Sequence, residues 1–264
     1  LESPNLETAR LPFDPRLTNN IGILTKTSDG SLTLAHHEHG ETYHSDLGAK
    51  TEAEQLYLGR SGILESFSSG KSVHVLDVGL GLGYNAIATV AAWLKEPNAA
   101  GLSMLSLEIN LDLIQLLASS KAEWQVDWPD EWLAICLSIQ SNEVWKWSAK
   151  IQHPISGSEF NWQIVGGDAL GLSWKSNCEF GPFDFIWQDA FSPKTCPQLW
   201  TDTWFAQLRS VASANCVMVT YSVARMVRDQ MIAAGWAVER IPGSGKKKHW
   251  LRALNTSEIS GASD

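Results

Sequence analysis

Asp77, Glu108, Asp168 and Asp189 are the residues best placed to do chemistry. Each falls at or just past the end of a predicted buried strand. Acids at equivalent points of a repeating strand–helix pattern are hard to ascribe to surface solvation, because one sheet edge would bring them to a common crevice. Asp77 opens the run Asp77-Val-Gly-Leu-Gly-Leu-Gly-Tyr-Asn85. The run lies between a short apolar strand ending at Leu76 and an apolar helix beginning at Ala86. A strand, a glycine turn and a helix set backbone N–H groups where a ligand's polar tail can approach closely.

The acid comes before the glycines, an order that suits a cationic, amine-bearing ligand better than a pyrophosphate. It points to S-adenosylmethionine (SAM), whose amino group can pair with a carboxylate at the strand end. A dinucleotide fingerprint has glycines at its first, third and sixth positions. Here Gly79, Gly81 and Gly83 occupy the first, third and fifth, and Tyr84 the sixth. A purely structural glycine turn is the remaining reading. Glu108 is placed to accept hydrogen bonds from both ribose hydroxyls, or else to cap the helix after it. Gly167 lets the backbone pass close to a flat ring, and Asp168 can accept from an exocyclic amine or simply tighten a turn. Asn85 and Gln188, next to these motifs, complete the candidate SAM-binding set.

Asp189-Ala-Phe-Ser-Pro193 follows the predicted strand Phe183–Gln188. Methyl transfer to an amine requires a neutral nucleophile, so an ammonium must lose its proton. A carboxylate at the sheet edge can orient the amine and take or relay that proton. Phe191 can stack on a planar base. Asp189 and Phe191 are therefore the candidate catalytic pair, with an Asp capping the next helix as the plainer alternative. Lys246, Lys247 and Lys248, with Lys194, Arg225 and Arg228, could form a positive rim for phosphate contact. A lysine run is otherwise a solvated turn. His36-His-Glu-His39 has metal-like spacing but sits in a polar loop without a companion cluster, and no metal is expected. With no G-x-S-x-G elbow, hydrolase chemistry has no foothold.

The 264 residues suffice for one large domain or two small ones, and 44% hydrophobic content allows a core without disulfides or metals. A net charge of −9 and a pI near 5.3 argue against a broad electrostatic grip on nucleic acid, though not against a local patch. Cys136, Cys178, Cys196 and Cys216 form no C-x-x-C pair, which suggests reduced thiols in a cytosolic protein. No apolar run reaches membrane-span length and residues 1–16 carry no signal-peptide pattern, so a cytoplasmic location without a membrane partner is expected.

Residues 1–20 suggest an extended arm, and Ile21 to Leu34, split by Ser28-Asp-Gly-Ser, a hairpin. Thr51 to Ser66 reads as one helix. Strands are predicted at Val73–Val78, Met104–Leu107, Trp162–Val165, Phe183–Gln188, Cys216–Tyr221, Ala237–Ile241 and Trp250–Leu254. Helices are predicted at Leu111–Ser120, Thr201–Val211 and Val223–Ala234. The alternation implies an α/β, doubly wound, mostly parallel seven-stranded sheet. The expected organisation is an N-terminal arm, hairpin and helix over residues 1–66, a core over 67–255, and a frayed tail over 256–264. Residues 121–160 form a Trp-rich insertion in the second crossover that should pack over the sheet edge.

Four stretches together resemble a known family. They are Gly40-Glu-Thr-Tyr-His-Ser-Asp-Leu-Gly-Ala49 followed by Glu52 and Leu56-Tyr-Leu; Asp77 to Asn85; Phe183 to Pro197 with Leu199-Trp200; and Thr220-Tyr-Ser through Pro242-Gly-Ser-Gly-Lys-Lys. They look like the SAM-dependent tRNA 5-methylaminomethyl-2-thiouridine methyltransferases, the MnmC-like methyltransferase domain. Asp77 to Asn85 matches the family's glycine loop, where the family often has Glu-x-Gly-Phe-Gly-Thr-Gly. The resemblance implies a class I methyltransferase fold and methylation of an aminomethyl group on the wobble uridine of tRNA. It places Asp189 at the reacting amine, Asp77, Gly79, Gly81, Glu108 and Asp168 around SAM, and Tyr43 and His44 on the tRNA side. Some family members carry a fused flavin oxidase. This chain is short and lacks a second glycine fingerprint, so it is expected to act alone, with a separate enzyme supplying the aminomethyluridine. Given the acidic charge, tRNA recognition would rest on a local rim and a splayed base. Alternatives are a small-molecule N- or O-methyltransferase, a spermidine-synthase-like aminopropyltransferase, and a SAM-binding scaffold without activity.

Overall fold

The computed structural model describes residues 16–171, 179–244 and 247–256. Helix α1 (Arg16–Ile21) leads into the antiparallel hairpin β1 (Gly22–Lys26) and β2 (Leu32–His36), as the split apolar pattern suggests. Asp29 in the hairpin turn accepts from the Ser31 N–H and hydroxyl and from the Thr51 N–H, which ties the hairpin to the next helix.

That helix is not the single element expected over Thr51–Ser66. Helix α2 (Ala49–Glu52) runs into a π-helical segment, Ala53–Leu58, and the chain restarts as α3 (Ile63–Ser68). The Gly59 N–H reaches back five residues to the Glu54 carbonyl at 3.0 Å, and Gly62 adopts φ 89°. Glycines here release the α-helical ladder that apolar spacing alone would continue.

The core then alternates. Strand β3 (Val73–Val78), α4 (Tyr84–Lys95), β4 (Leu102–Glu108) and α5 (Leu111–Ser119) precede α6 (Asp130–Leu137), β5 (Gln140–Glu143), β6 (Lys146–Gln152) and β7 (Glu159–Gly166). Strand β8 (Phe183–Gln188), α7 (Asp202–Ser210), β9 (Ala212–Thr220), α8 (Arg225–Ala233), β10 (Ala237–Pro242) and β11 (His249–Leu254) follow. The sheet order is β10-β11-β9-β8-β3-β4-β7-β6-β5. Strands β9, β8, β3, β4 and β7 are mutually parallel, and β11 and β6 flank them antiparallel.

Among the described residues the sheet has nine strands rather than seven. The two additions, β5 and β6, come from the Trp-rich insertion, which extends the sheet edge by pairing with β7. The strand pattern there is masked by lysines and serines, since only Trp147 and Ala149 of β6 are buried.

Helices cover both faces of the sheet. Val75, Met104 and Trp187 point into the layer that holds α4, α5 and α6. Leu76, Leu105 and Ile186, on alternate positions, meet Trp204, Leu208, Val227 and Met231 of α7 and α8. Each fully buried Leu, Ile or Val in these layers contributes about 1.5–3 kcal/mol relative to exposure. Trp124, Trp128, Trp132, Trp147 and Trp162 are all buried, and Trp145 is 38% exposed. The insertion therefore packs: Trp124 donates to the Leu82 carbonyl at 3.2 Å, and the Trp128 and Trp132 rings meet Tyr84 edge-on. Among the described residues, no helix is long and apolar enough to cross a membrane.

Candidate active site

A cavity of about 480 Å³ opens off the carboxyl ends of β3, β4, β7 and β8. Its floor is the glycine turn between β3 and α4. Gly79 has φ 88°, and a Cβ there would lie 2.7 Å from the Asp189 carbonyl oxygen. Only glycine permits both that backbone and that approach. The Asp189 N–H donates to the Val78 carbonyl at 2.9 Å, so the turn and the end of β8 are laced together.

Of the predicted SAM-binding residues, Gly79, Gly81, Glu108, Gly167 and Asp168 line this cavity. The Glu108 carboxylate accepts from Gly81 N–H at 2.7 Å and Asn110 N–H at 2.8 Å, while burial pushes its carboxyl up from the ordinary range. Asp168 is exposed and accepts from the Leu170 N–H at 3.0 Å.

Asp77, Gly83, Asn85 and Gln188 do not line it. Asp77 is fully buried, accepts from Ser106 at 2.8 Å through one oxygen, and is pushed up to about 7 by burial. Its other oxygen has no partner among the described residues. Gln188 is corrected from a ligand contact to a brace: its amide donates to the Leu199 carbonyl at 3.0 Å and accepts from Trp204 at 3.1 Å. Asn85 likewise turns toward the protein and donates to Asp189 at 2.6 Å.

Asp189 sits half-buried in the cavity wall. Tyr57 donates to its Oδ1 at 2.5 Å and Asn85 to its Oδ2 at 2.6 Å. Burial, reinforced by the charge of Glu52, holds the Asp189 carboxyl well above the usual range, against the pull of those two donors. Glu52 is buried, accepts from Ser45 at 3.2 Å, and forms an ion pair with Lys247 at 3.2 Å. The Lys247 ammonium also lies 4.8 Å from the centre of the Tyr221 ring, whose hydroxyl donates to the Ala190 carbonyl at 3.0 Å.

Glu52, Tyr57 and Tyr221 carry no assignment from spacing, although all three lie inside the motif blocks. The missing signal is directional. Five positions apart, Glu52 and Tyr57 would diverge by about 140° in an α-helix. The wider π-helical segment, Ala53–Leu58, instead lets both act on Asp189.

The expected substrate-side residues divide. Tyr43 and Phe191 line the cavity with ring centroids 4.9 Å apart. His44 also borders it, but the side chain is buried, shares a hydrogen bond with Thr33 at 3.1 Å, and is pushed down to about 4 by burial, so it is a neutral brace. The basic rim is not gathered at the cavity. Arg225 and Arg228 both face Asp229, at 3.4 and 3.3 Å, and Lys194 and Lys248 are exposed and off the lining. Lys246 lies outside the described residues. Lys247 alone of that set, among the described residues, reaches the cavity. Cys136, Cys196 and Cys216 are free thiols, and Cys178 is outside the described residues. No group of three or more His, Cys, Asp or Glu among the described residues is arranged to hold a metal.

Glu41, Glu52, Glu108, Asp168 and Asp189 thus line a cavity to which the described residues add one lysine, already paired. Acid excess, an open glycine backbone and the unpartnered Asp77 oxygen fit a ligand carrying a sulfonium and an amine.

Residues 138–256 match the model of an S-adenosyl-L-methionine-dependent methyltransferase family. The tRNA 5-methylaminomethyl-2-thiouridine biosynthesis bifunctional protein MnmC of Azoarcus sp. (strain BH72) is 31% identical over 218 residues, which is 81% of this chain and 33% of that protein. The same protein of Aromatoleum aromaticum is 26% identical over 245 residues, 92% of this chain and 36% of that one. The chain therefore spans about a third of the length of these curated relatives. The crystal structure of MNMC2 from Aquifex aeolicus shares the fold, with a TM-score of 0.73 at 24% identity over 91% of this chain and 72% of that one. Residues 138–256 thus carry the match to a SAM-dependent methyltransferase family, the chain is similar to the MnmC proteins over about a third of their length, and its sheet is that of a class I methyltransferase.

Proposed function

We propose that this chain transfers a methyl group from SAM to the 5-aminomethyl group of the wobble uridine of tRNA, giving 5-methylaminomethyl(-2-thio)uridine. The observation that carries the reading is the Asp189 carboxylate, held by Tyr57 and Asn85 in the wall of an acid-lined cavity against the glycine turn. The names of the relatives supply the tRNA substrate class.

Gly79, Gly81, Glu108, Gly167 and Asp168 would hold SAM, with Asp77 beneath the turn. When bound, SAM supplies an electrophilic methyl on a sulfonium. Asp189 does the proton work. An aminomethyl group arrives largely as an ammonium, and its proton must leave before the nitrogen lone pair can attack. A carboxyl with raised proton affinity takes that proton better than an ordinary aspartate. The Tyr57 and Asn85 bonds fix which lone pairs of Asp189 remain for the amine. Glu52, itself held by Lys247, keeps negative charge beside it. Tyr43 and Phe191 sit beside Asp189 in the cavity lining. The free aminomethyl group comes from a preceding reaction, in the cytoplasm.

A small-molecule amine acceptor is the second reading, favoured by the position of Arg225 and Arg228 against Asp229 rather than at the cavity. Labelled methyl transfer from SAM to two tRNA pools separates the readings. One pool comes from cells unable to complete the wobble-uridine modification, the other is fully modified. Label entering only the first, as methylaminomethyluridine, supports tRNA. Label in neither pool, with SAM binding intact, supports a small acceptor.

A further inference from the structure

We propose that His36, His39, Tyr43 and Phe191 form a stacking shelf for the nucleobase next to the methyl-accepting nucleotide, so that the preferred substrate is a polynucleotide rather than a free nucleoside. The inference rests on the tRNA reading and deepens it.

The four rings form a contiguous cluster. His36 and His39 are stacked, with centroids 4.1 Å apart and planes at 21°. Phe191 lies beside both at steep interplanar angles of 83° and 64°, with centroids at 5.6 and 5.2 Å. Tyr43 lies 4.9 Å from Phe191 and 5.9 Å from His36. Tyr43 and Phe191 belong to the cavity lining, whereas His36 and His39 carry the aromatic surface beyond it. His39 is exposed.

The shelf is held in place. Ser192 next to Phe191 donates its hydroxyl to Glu41 at 2.6 Å, so the turn after β2 is bound to the loop after β8. Within that turn the His36 N–H donates to the Glu41 carbonyl at 2.8 Å, and the Glu38 N–H donates to the His36 ring at 3.1 Å. Parallel imidazoles do not converge their nitrogens on a common point, which speaks against a metal. Burial and the neighbouring His39 hold the His36 ring below the ordinary histidine range, so it is uncharged at neutral pH.

An aromatic surface beside an acidic cavity offers little to a phosphate. It offers a π face, which every base can meet whatever its identity. A single nucleoside seated with its amine at Asp189 has no second base to reach rings outside the cavity; a strand does. This gives an acidic chain a grip on RNA that needs no basic face.

The test compares free 5-aminomethyluridine with an anticodon stem-loop oligonucleotide carrying it, as acceptors for the wild type, His36→Ala/His39→Ala and His36→Phe/His39→Phe. The alanine variant should raise KM for the stem-loop about tenfold, from the usual worth of one base–aromatic stack. Its kcat, and its kinetics on the nucleoside, should stay within about twofold, and phenylalanine should restore KM. His39→Ala alone changes only an exposed ring, so it separates stacking from folding; it should show a smaller rise in the same direction. An unchanged stem-loop KM in His39→Ala and in the double alanine variant, or equal loss on both acceptors in His39→Ala, overturns the shelf while leaving the methyltransferase reading standing. A wild type that methylates neither acceptor removes the tRNA reading, and the shelf with it.

Discussion

Tyr57 donates to Asp189 at 2.5 Å across 132 residues of chain, and Glu52, five positions before Tyr57, raises the proton affinity of the same carboxyl. One short helical segment therefore pushes Asp189 in two opposite directions. Donation from Tyr57 stabilises the ionised form, and the charge of Glu52 disfavours it. In the proposed role Asp189 accepts a proton only when ionised, so activity should be lost as pH falls through its pKa. Tyr57→Phe should move the acid limb of the kcat profile to higher pH and lower kcat near neutrality about tenfold, the scale of a lost hydrogen bond to a charged group. Glu52→Gln should move that limb to lower pH. Shifts of the same sign in both variants would contradict the arrangement.

Asp189→Asn keeps the shape and the Asn85 and Tyr57 neighbours but removes the proposed base. SAM affinity, measured by calorimetry, should stay within about twofold while turnover falls about a hundredfold or more. Equal loss of affinity and turnover would move Asp189 from the acceptor to the SAM side.

Asp77 makes a prediction about stability. Its carboxyl, pushed up to about 7, binds a proton in the folded state that the unfolded chain, near 3.8, has already released. A raised folded pKa means that stability is full below about pH 4 and falls as pH climbs toward 7. Asp77→Asn should abolish that slope and, without ligand, stabilise the protein at pH 8 by on the order of 4 kcal/mol. Urea unfolding of both proteins at pH 5 and pH 8 reads the difference; parallel losses in the two would rule out Asp77 as the source.

Gly79→Ala puts a methyl 2.7 Å from the Asp189 carbonyl on a backbone with φ 88°. The left-handed conformation alone costs about 1–2 kcal/mol, and the clash adds to it. SAM affinity and turnover should fall together. Gly40→Ala is the control: φ is also positive, at 63°, but nothing lies within 4 Å of the added carbon. It should lose stability while keeping most of its SAM affinity.

Much of this protein was legible in its residues. Strands Val73–Val78 and Phe183–Gln188 announce themselves as short apolar runs ended by an acid and a turn, and the structure has them with the same bounds. The glycine turn is equally local, because a positive φ is a demand on one residue. Alternating strands and helices imply the parallel sheet, and with it the edge where Glu108, Asp168 and Asp189 meet. Packing decided the rest. Strands β5 and β6 exist because β7 offers them an edge, which no pattern within residues 140–152 declares. Asn85 and Gln188 neighbour the motifs in sequence yet turn away from the cavity, since side-chain direction follows the contacts of the finished sheet. The Lys247–Glu52 pair, 195 residues apart, and the Tyr57–Asp189 bond depend on a π-helical turn and on two ends of the chain closing over one sheet edge. Local conformational preference wrote the acids and the turn that could hold SAM. Only long-range packing chose the groups that set the proton affinity of the acid at its centre.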